Sequence, residues 1–108
     1  MICVRIEEKG GVYAIHAMGH ANTAPAGQDI VCAAASILMY TAMECVEQLH
    51  QRGRLLSPPD YIDADGIGGV GFRPIDASDI MPIVDVLQTG FRLLQTNYPE
   101  AVRLVSHL

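Results

Sequence analysis

The sequence predicts an α+β fold: a two-layer arrangement in which a mostly antiparallel sheet packs with two helices, in the order β-β-α-β-β-α-β. Alternating apolar residues predict short strands at the beginning and in the middle of the chain. A long apolar segment and a later segment of helical periodicity predict the two helices. The length of 108 residues suits one core, so we expect residues 1–108 to form a single domain.

The first two strands form a hairpin. Ile2, Val4 and Ile6 alternate with more polar residues, and Gly10 and Gly11 supply a turn before the extended segment VYAIHAMGH. This strand is expected to end near His20. The residues from Ala21 to Gly27 are small and turn-forming, so we expect a mobile loop there.

The first helix is expected to begin after Asp29, a good N-cap residue, and to run from Ile30 to about Arg52, with Gly53 just beyond its end. It is apolar almost all round for about 14 residues, which is short for a membrane span. We therefore expect a central helix covered by the sheet and by a partner subunit, and no insertion into a membrane.

The second half of the chain supplies two further strands, a helix and a last strand. YIDADGIGGVGFRPI predicts two strands around a glycine-rich turn, and AVRLV predicts the final strand. Ser78 or Asp79 is expected to cap the second helix, with Pro82 tolerated in its first turn. Its apolar residues fall on one face: Ile80, Val84, Leu87, Phe91 and Leu94.

Composition and charge exclude several classes of function. The formal net charge of −5 repels phosphate backbones and anionic lipids and attracts basic partners, so we expect no nucleic-acid binding. Cys3, Cys32 and Cys45 show neither zinc spacing nor an even disulfide set, so we expect no metal site and three free thiols. The N-terminal segment lacks the pattern of an export signal, which favours the cytoplasm.

The candidate chemistry lies in the segment GHANTAPAGQDIVCAAAS. His20 ends a strand and Cys32 opens a helix, so an imidazole and a thiol can meet if the helix packs against the hairpin. At about 4 Å and an effective dielectric near 20, an imidazolium favours a thiolate by up to roughly 4 kcal/mol. The backbone N–H groups of residues 30–32 are candidates for holding an oxyanion.

Each of these residues also has a purely structural interpretation. Free cysteines are commonly buried as small apolar side chains, and Cys3 and Cys45 are best explained in this way. Gly19 and Gly27 serve either as turn residues or as hinges of a lid.

An acidic cluster precedes the glycine-rich turn, but its spacing does not fit a calcium-binding loop. It indicates a solvated strand edge or, alternatively, a surface that attracts a cationic substrate. The residues are Asp60, Asp63 and Asp65.

The segment GHA, followed by AG-x-DIVCAA-x-S and a later helix closing in YP, resembles the bacterial ribosomal-processing cysteine protease Prp family. The resemblance spans the chain and is most specific over residues 19–36. It implies a cytoplasmic endopeptidase, homodimeric and without a cofactor, that removes a short N-terminal extension from a large-subunit ribosomal protein.

The resemblance also implies roles for individual residues. Cys32 is the nucleophile and His20 the base, with Asp29 and Ser36 in supporting positions. The segment containing Gly19, Ala21 and Gly27 forms a loop that must move for substrate to enter. Two other functions stay open: a noncatalytic ribosome-assembly factor that binds a basic ribosomal protein, and a thiol redox sensor.

Overall fold

The computed structural model describes residues 1–22, 24–25 and 29–108, and the predicted α+β fold is confirmed. A single 3₁₀ turn at Ala77–Asp79 is added to the predicted order. The elements are β1 (Ile2–Lys9), β2 (Val12–Met18), α1 (Ile30–Gln51), β3 (Asp60–Ala64), β4 (Ile67–Phe72), α2 (Met81–Asn97) and β5 (Val102–His107).

The five strands form one sheet in the spatial order β3-β4-β2-β1-β5. Three neighbouring pairs are antiparallel, and β1 pairs with β5 in parallel. Met18, the last residue of β2, lies opposite Ile67, the first residue of β4. This register brings the β3–β4 turn beside the residues that follow β2.

Both helices pack on one face of the sheet, and the core lies between the two layers. The buried positions of α1 recur every three or four residues, as expected for a helix with one covered face. They are Val31, Ala35, Met39, Ala42, Val46 and Leu49. Phe91 of α2 and Ile6 and Ile15 of the sheet are fully buried in the same core.

By length and composition alone, α1 is long and apolar enough to cross a membrane, with a mean hydropathy of 1.5 over an 18-residue window. The helix has 22 residues, so the length of the helix does not exclude a membrane span. The core helix of a soluble domain meets the same criteria, and α1 covers the sheet with one face. That α1 does not enter a membrane stays a prediction.

The predicted start of the second helix is wrong. Ser78 and Asp79 lie inside the 3₁₀ turn, and Asp76 caps that turn by accepting the backbone N–H of Ser78 at 2.9 Å. The helix α2 begins after Ile80 and has no side-chain cap. The ends of α1 are as predicted, with Asp29 as N-cap and Gly53 just after the C-cap residue.

Candidate active site

Cys32 lies in the first turn of α1, where the buried carboxylate of Asp29 fixes the backbone. One oxygen of Asp29, Oδ1, accepts the N–H groups of Val31 and Cys32 at 3.0 and 3.1 Å. The other oxygen, Oδ2, accepts the N–H of Ala24 at 3.2 Å. A single carboxylate therefore joins the start of the helix to the loop that precedes it.

These hydrogen bonds argue against two of the three N–H groups that were expected to hold an oxyanion, those of Val31 and Cys32. The N–H groups of Val31 and Cys32 already donate to Asp29, so neither points to a substrate without loss of the cap. A different backbone donor faces the sulfur. The N–H of Ala21 lies 3.3 Å from Cys32 Sγ, within hydrogen-bond distance for sulfur.

His20 is brought to the site by Gly19, which follows the last residue of β2. Gly19 has a φ of +101°, and a Cβ at this position would collide with the backbone carbonyl oxygen of Met1. Its N–H donates to the carbonyl oxygen of Gly66 at 2.8 Å. The backbone before His20 is thus held between the chain start and the β3–β4 turn, while the imidazole itself is 55% exposed.

His20 and Cys32 line the same cavity, of about 500 Å³, between the start of α1 and the sheet. Ser36 lies one helical turn after Cys32 and lines it as well. The two residues thus border one cavity, and a direct pairing of the imidazole with the thiol stays a prediction. Because the imidazole is more than half exposed, its attraction for a thiolate is weaker than the roughly 4 kcal/mol expected for a partly buried pair.

Apolar and acidic residues complete the cavity wall. The side chains of Met39 and Met43 from α1 form part of the apolar wall, and Asp63 and Asp65 form part of the acidic wall. The hydroxyl of Tyr40 donates to Asp63 Oδ1 at 3.3 Å. The site therefore combines an adaptable apolar surface with negative charge.

Two contacts of the site were not predicted from the sequence: that of the β3–β4 turn with His20 and that of Tyr40 with Asp63. Asp65 Oδ1 lies 4.0 Å from His20 Nε2, close enough for an ion pair when the imidazole is protonated. Tyr40 could have been found from helical periodicity, because residues 32, 36, 39, 40 and 43 share one side of α1. The Asp65 contact has no such local signal, since it depends on how the strands pair.

A second, shallower pocket borders the cavity, and two of its side chains, Glu47 and Tyr61, are joined by a hydrogen bond. The hydroxyl of Tyr61 donates to Glu47 at 2.6 Å, and this hydrogen bond lowers the pKa of Glu47. Burial raises the pKa of Tyr61, and the same bond to Glu47 raises it further. His50 lies 3.5 Å from the other oxygen of Glu47.

The remaining predictions for site residues have mixed outcomes. Cys3, Cys32 and Cys45 are all free thiols, as expected. Within residues 1–22, 24–25 and 29–108, no group of three or more metal-ligating side chains is present. Ala21 is buried, whereas Gly27, the other predicted end of the substrate loop, lies outside the described residues, as do positions 23, 26 and 28.

Comparisons with known proteins identify related chains. A family model described as cysteine protease Prp matches residues 1–103. The ribosomal processing protease Prp from S. aureus, solved with a covalently linked product peptide, is 25% identical, with a TM-score of 0.71 and coverage of 98% of this chain and 99% of that chain. Its complex with a substrate peptide gives 24% identity, the same coverage and a TM-score of 0.66.

A third similar structure is SMU.848 from Streptococcus mutans. It is 25% identical, with a TM-score of 0.64, and the match covers 99% of this chain and 94% of that chain. No curated protein sequence matches the chain.

Proposed function

The chain belongs to the family of the cysteine protease Prp, and from that premise we propose that it is a ribosomal-processing endopeptidase with a Cys32–His20 mechanism. Its substrate in this proposal is a large-subunit ribosomal protein that carries a short N-terminal extension. The observation that carries the proposal is that His20 and Cys32 line one cavity, with the Ala21 N–H directed at the sulfur.

The proposed reaction is a two-step acyl transfer. The Cys32 thiolate attacks the scissile carbonyl carbon and forms a C–S bond, and the peptide C–N bond then breaks as the His20 imidazolium gives its proton to the departing amine. Water next attacks the thioester. His20 takes the proton of that water, the C–S bond breaks, and the acid product leaves the regenerated thiolate.

Asp29 and Ser36 support this chemistry from the two sides of Cys32. Asp29 holds the backbone of Cys32 and of Ala24, so it fixes where the thiol sits relative to the loop. Ser36 places a hydroxyl on the same cavity wall, one turn further along α1. In the proposal Asp29 orients the helix start and Ser36 contacts the substrate.

A basic ribosomal protein fits the charge of the site. The chain has a net charge of −5, and Asp63 and Asp65 line the cavity. Opposite charge raises the rate of encounter and helps to orient the substrate. The S. aureus structures with a substrate peptide and with a covalently linked product peptide support a peptide substrate and a covalent step for this chain too.

The test is cleavage of a peptide that spans the N-terminal extension, followed by mass spectrometry of the products. We expect no product from Cys32→Ala, at most a trace from Cys32→Ser, and a loss of at least about 100-fold in kcat/KM from His20→Ala. Cys45→Ala is the matched control and should cleave at close to the rate of the unmodified protein.

Each alternative function gives a different result in that assay. Full cleavage by Cys32→Ala would end the thiol mechanism. Peptide binding without any product, even by the unmodified protein, would indicate a noncatalytic ribosome-assembly factor. Reversible oxidation of Cys32 by mild peroxide, again without turnover, would indicate a redox sensor.

We also propose that the protein acts in the cytoplasm as a homodimer. Ile37 of α1 and Leu93 of α2 are 63% and 59% exposed, and both line an apolar groove between the helices. Exposed apolar surface of this kind favours association with a second copy. Ile37→Glu should shift the mass in analytical ultracentrifugation from dimer to monomer, whereas a monomeric parent protein would contradict the proposal.

A further inference from the structure

The turn between β3 and β4 lies against one edge of the His20 ring. Asp65 Oδ1 is 4.0 Å from His20 Nε2. A methyl group added to Gly66 would lie 3.0 Å from the same nitrogen. The carbonyl oxygen of Gly66 also accepts the N–H of Gly19, the residue before His20. Both distances place Nε2, rather than Nδ1, at the turn.

We propose that Asp65 is a positioning residue that keeps the Nε2 edge of His20 toward the β3–β4 turn, so that Nδ1 exchanges the proton with Cys32. The inference rests on the proposed function and adds a third residue to its proton transfer. The two nitrogens lie on different edges of the imidazole ring. A ring whose Nε2 edge faces the turn therefore has Nδ1 available to the rest of the cavity.

The two ring nitrogens of His20 have separate roles in the proposed proton transfer. Nε2 keeps its proton throughout the cycle and directs it toward the Asp65 carboxylate. Nδ1 takes the proton of the Cys32 thiol, gives it to the departing amine, and later takes a proton from water. Asp65 stays ionised, so no proton passes to it, and its negative charge favours the imidazolium that forms at each transfer.

The distance sets the size of this effect. At 4.0 Å the Asp65–His20 contact is longer than a direct hydrogen bond, and it is an ion pair only while the imidazole is protonated. The Asp65 side chain is 99% exposed, so water and salt screen the attraction. We therefore expect the carboxylate to change the reaction rate by a small factor of about two to five.

Other titratable groups line the same cavity but have different partners. Asp63 accepts the hydroxyl of Tyr40 at 3.3 Å, and Cys32 receives the N–H of Ala21. Among the described residues, Asp65 is the one whose carboxylate lies within 4.0 Å of a His20 ring nitrogen. Gly66 permits this approach, because its φ of +72° suits glycine and a side chain there would press on the ring.

The kinetic test compares Asp65→Asn with Asp60→Asn on the extension peptide. Both changes remove one exposed carboxylate, but Asp60 begins β3, about 16 Å away along the strand. Asp65→Asn should lower kcat about two- to fivefold, in addition to the rise in KM expected from the loss of a negative charge in the cavity, and it should move the acid limb of the pH–rate profile. Asp65→Glu should restore part of the rate, and Asp60→Asn should leave kcat unchanged.

Salt provides a second arm of the kinetic test. The difference between the parent protein and Asp65→Asn should shrink toward zero in about 1 M salt, where the screening length is about 3 Å. A loss of rate that persists in salt and is not rescued by Asp65→Glu would show a merely structural role for the turn. An unchanged kcat and pH profile in Asp65→Asn would equally overturn the proposal.

An NMR measurement separates this proposal from the proposed function. The ¹⁵N shifts of His20 at alkaline pH, where the imidazole is neutral, report which nitrogen carries the proton. The parent protein should show the Nε2–H tautomer, and Asp65→Asn should shift the population toward Nδ1–H. A parent protein in the Nδ1–H form would overturn the inference even if the peptide is cleaved. An Nε2–H form in a protein that cleaves nothing would support the positioning of the ring by Asp65 but would overturn the proposed function and, with it, the proton exchange with Cys32.

Discussion

The two helices of this protein begin in opposite ways. α1 starts at Asp29, which is buried and whose carboxylate accepts three backbone N–H groups. α2 has no side-chain cap and follows a 3₁₀ turn whose own cap, Asp76, lies in solvent. A buried carboxylate therefore holds the helix start that carries the candidate nucleophile. An exposed carboxylate holds the 3₁₀ turn that leads into α2.

This difference indicates how the fold divides stability and function. A buried carboxylate with its acceptor capacity used is strongly destabilising to remove, because N–H groups then lose partners away from water. An exposed cap is replaced by water at little loss. The sequence around Asp29 is thus constrained both by folding and by the need to place Cys32, whereas the sequence around Asp76 is constrained by local geometry alone.

The largest expected effect is that of Asp29→Ala. It removes the hydrogen bonds to Val31, Cys32 and Ala24, and we expect a loss of about 1–2 kcal/mol in the free energy of unfolding, measured in urea. Peptide cleavage should fall as well, at a temperature where the variant is still folded, because the backbone at Cys32 is no longer held. If Asp29→Ala unfolds and cleaves peptide like the parent protein, burial of the cap does not distinguish the two helix starts.

The matched change, Asp76→Ala, should have a smaller effect. It removes the single hydrogen bond from the Ser78 N–H, at a position where water can take its place. We expect a small decrease in the urea midpoint and no change in kcat/KM for the extension peptide. A stability loss equal to that of Asp29→Ala would show that burial is not what distinguishes the two caps.

The smallest effect is a pH dependence of the exposed cap. The hydrogen bond from the Ser78 backbone N–H lowers the pKa of Asp76 below its ordinary value of 3.8. A lowered pKa means that this carboxylate stabilises the fold above about pH 3.8 and that the contribution is lost as the pH falls through the lower, folded-state value.

The test of that sign is the difference in urea midpoint between the parent protein and Asp76→Asn. It should be largest at about pH 5 and should decline toward about pH 2, provided that both proteins are still folded. A difference that grows on acidification would contradict the assigned direction.

The element order was predictable from local patterns, but the start of α2 was not. Alternation predicted the strands, and the Asp29 and Gly53 signals predicted both ends of α1. Near α2, three potential capping residues compete within four positions, and Asp76 prevails because its backbone is extended. A long-range contact also acts on the third of them, since Arg54 Nε donates to Asp79 at 2.7 Å.

The candidate site divides in the same manner. That His20 and Cys32 border one cavity was predictable, since a strand end, a short loop and a helix start are local features and the loop limits their separation. The contact of Asp65 with His20 depends on the register in which Met18 lies opposite Ile67, which no local pattern specifies. The N–H groups of Val31 and Cys32 are not free to bind an oxyanion, because both donate to the capping carboxylate of Asp29.

The strand β3 ends the sheet beside the cavity, and all five of its residues are exposed. An edge strand has unpaired backbone groups that can form hydrogen bonds with a strand of another molecule, and charged side chains make this pairing less favourable. Asp60 and Asp63 are therefore expected to disfavour aggregation through this edge. Solubility should therefore decline as the pH approaches the isoelectric point of about 5.1, where the net charge that keeps the molecules apart vanishes.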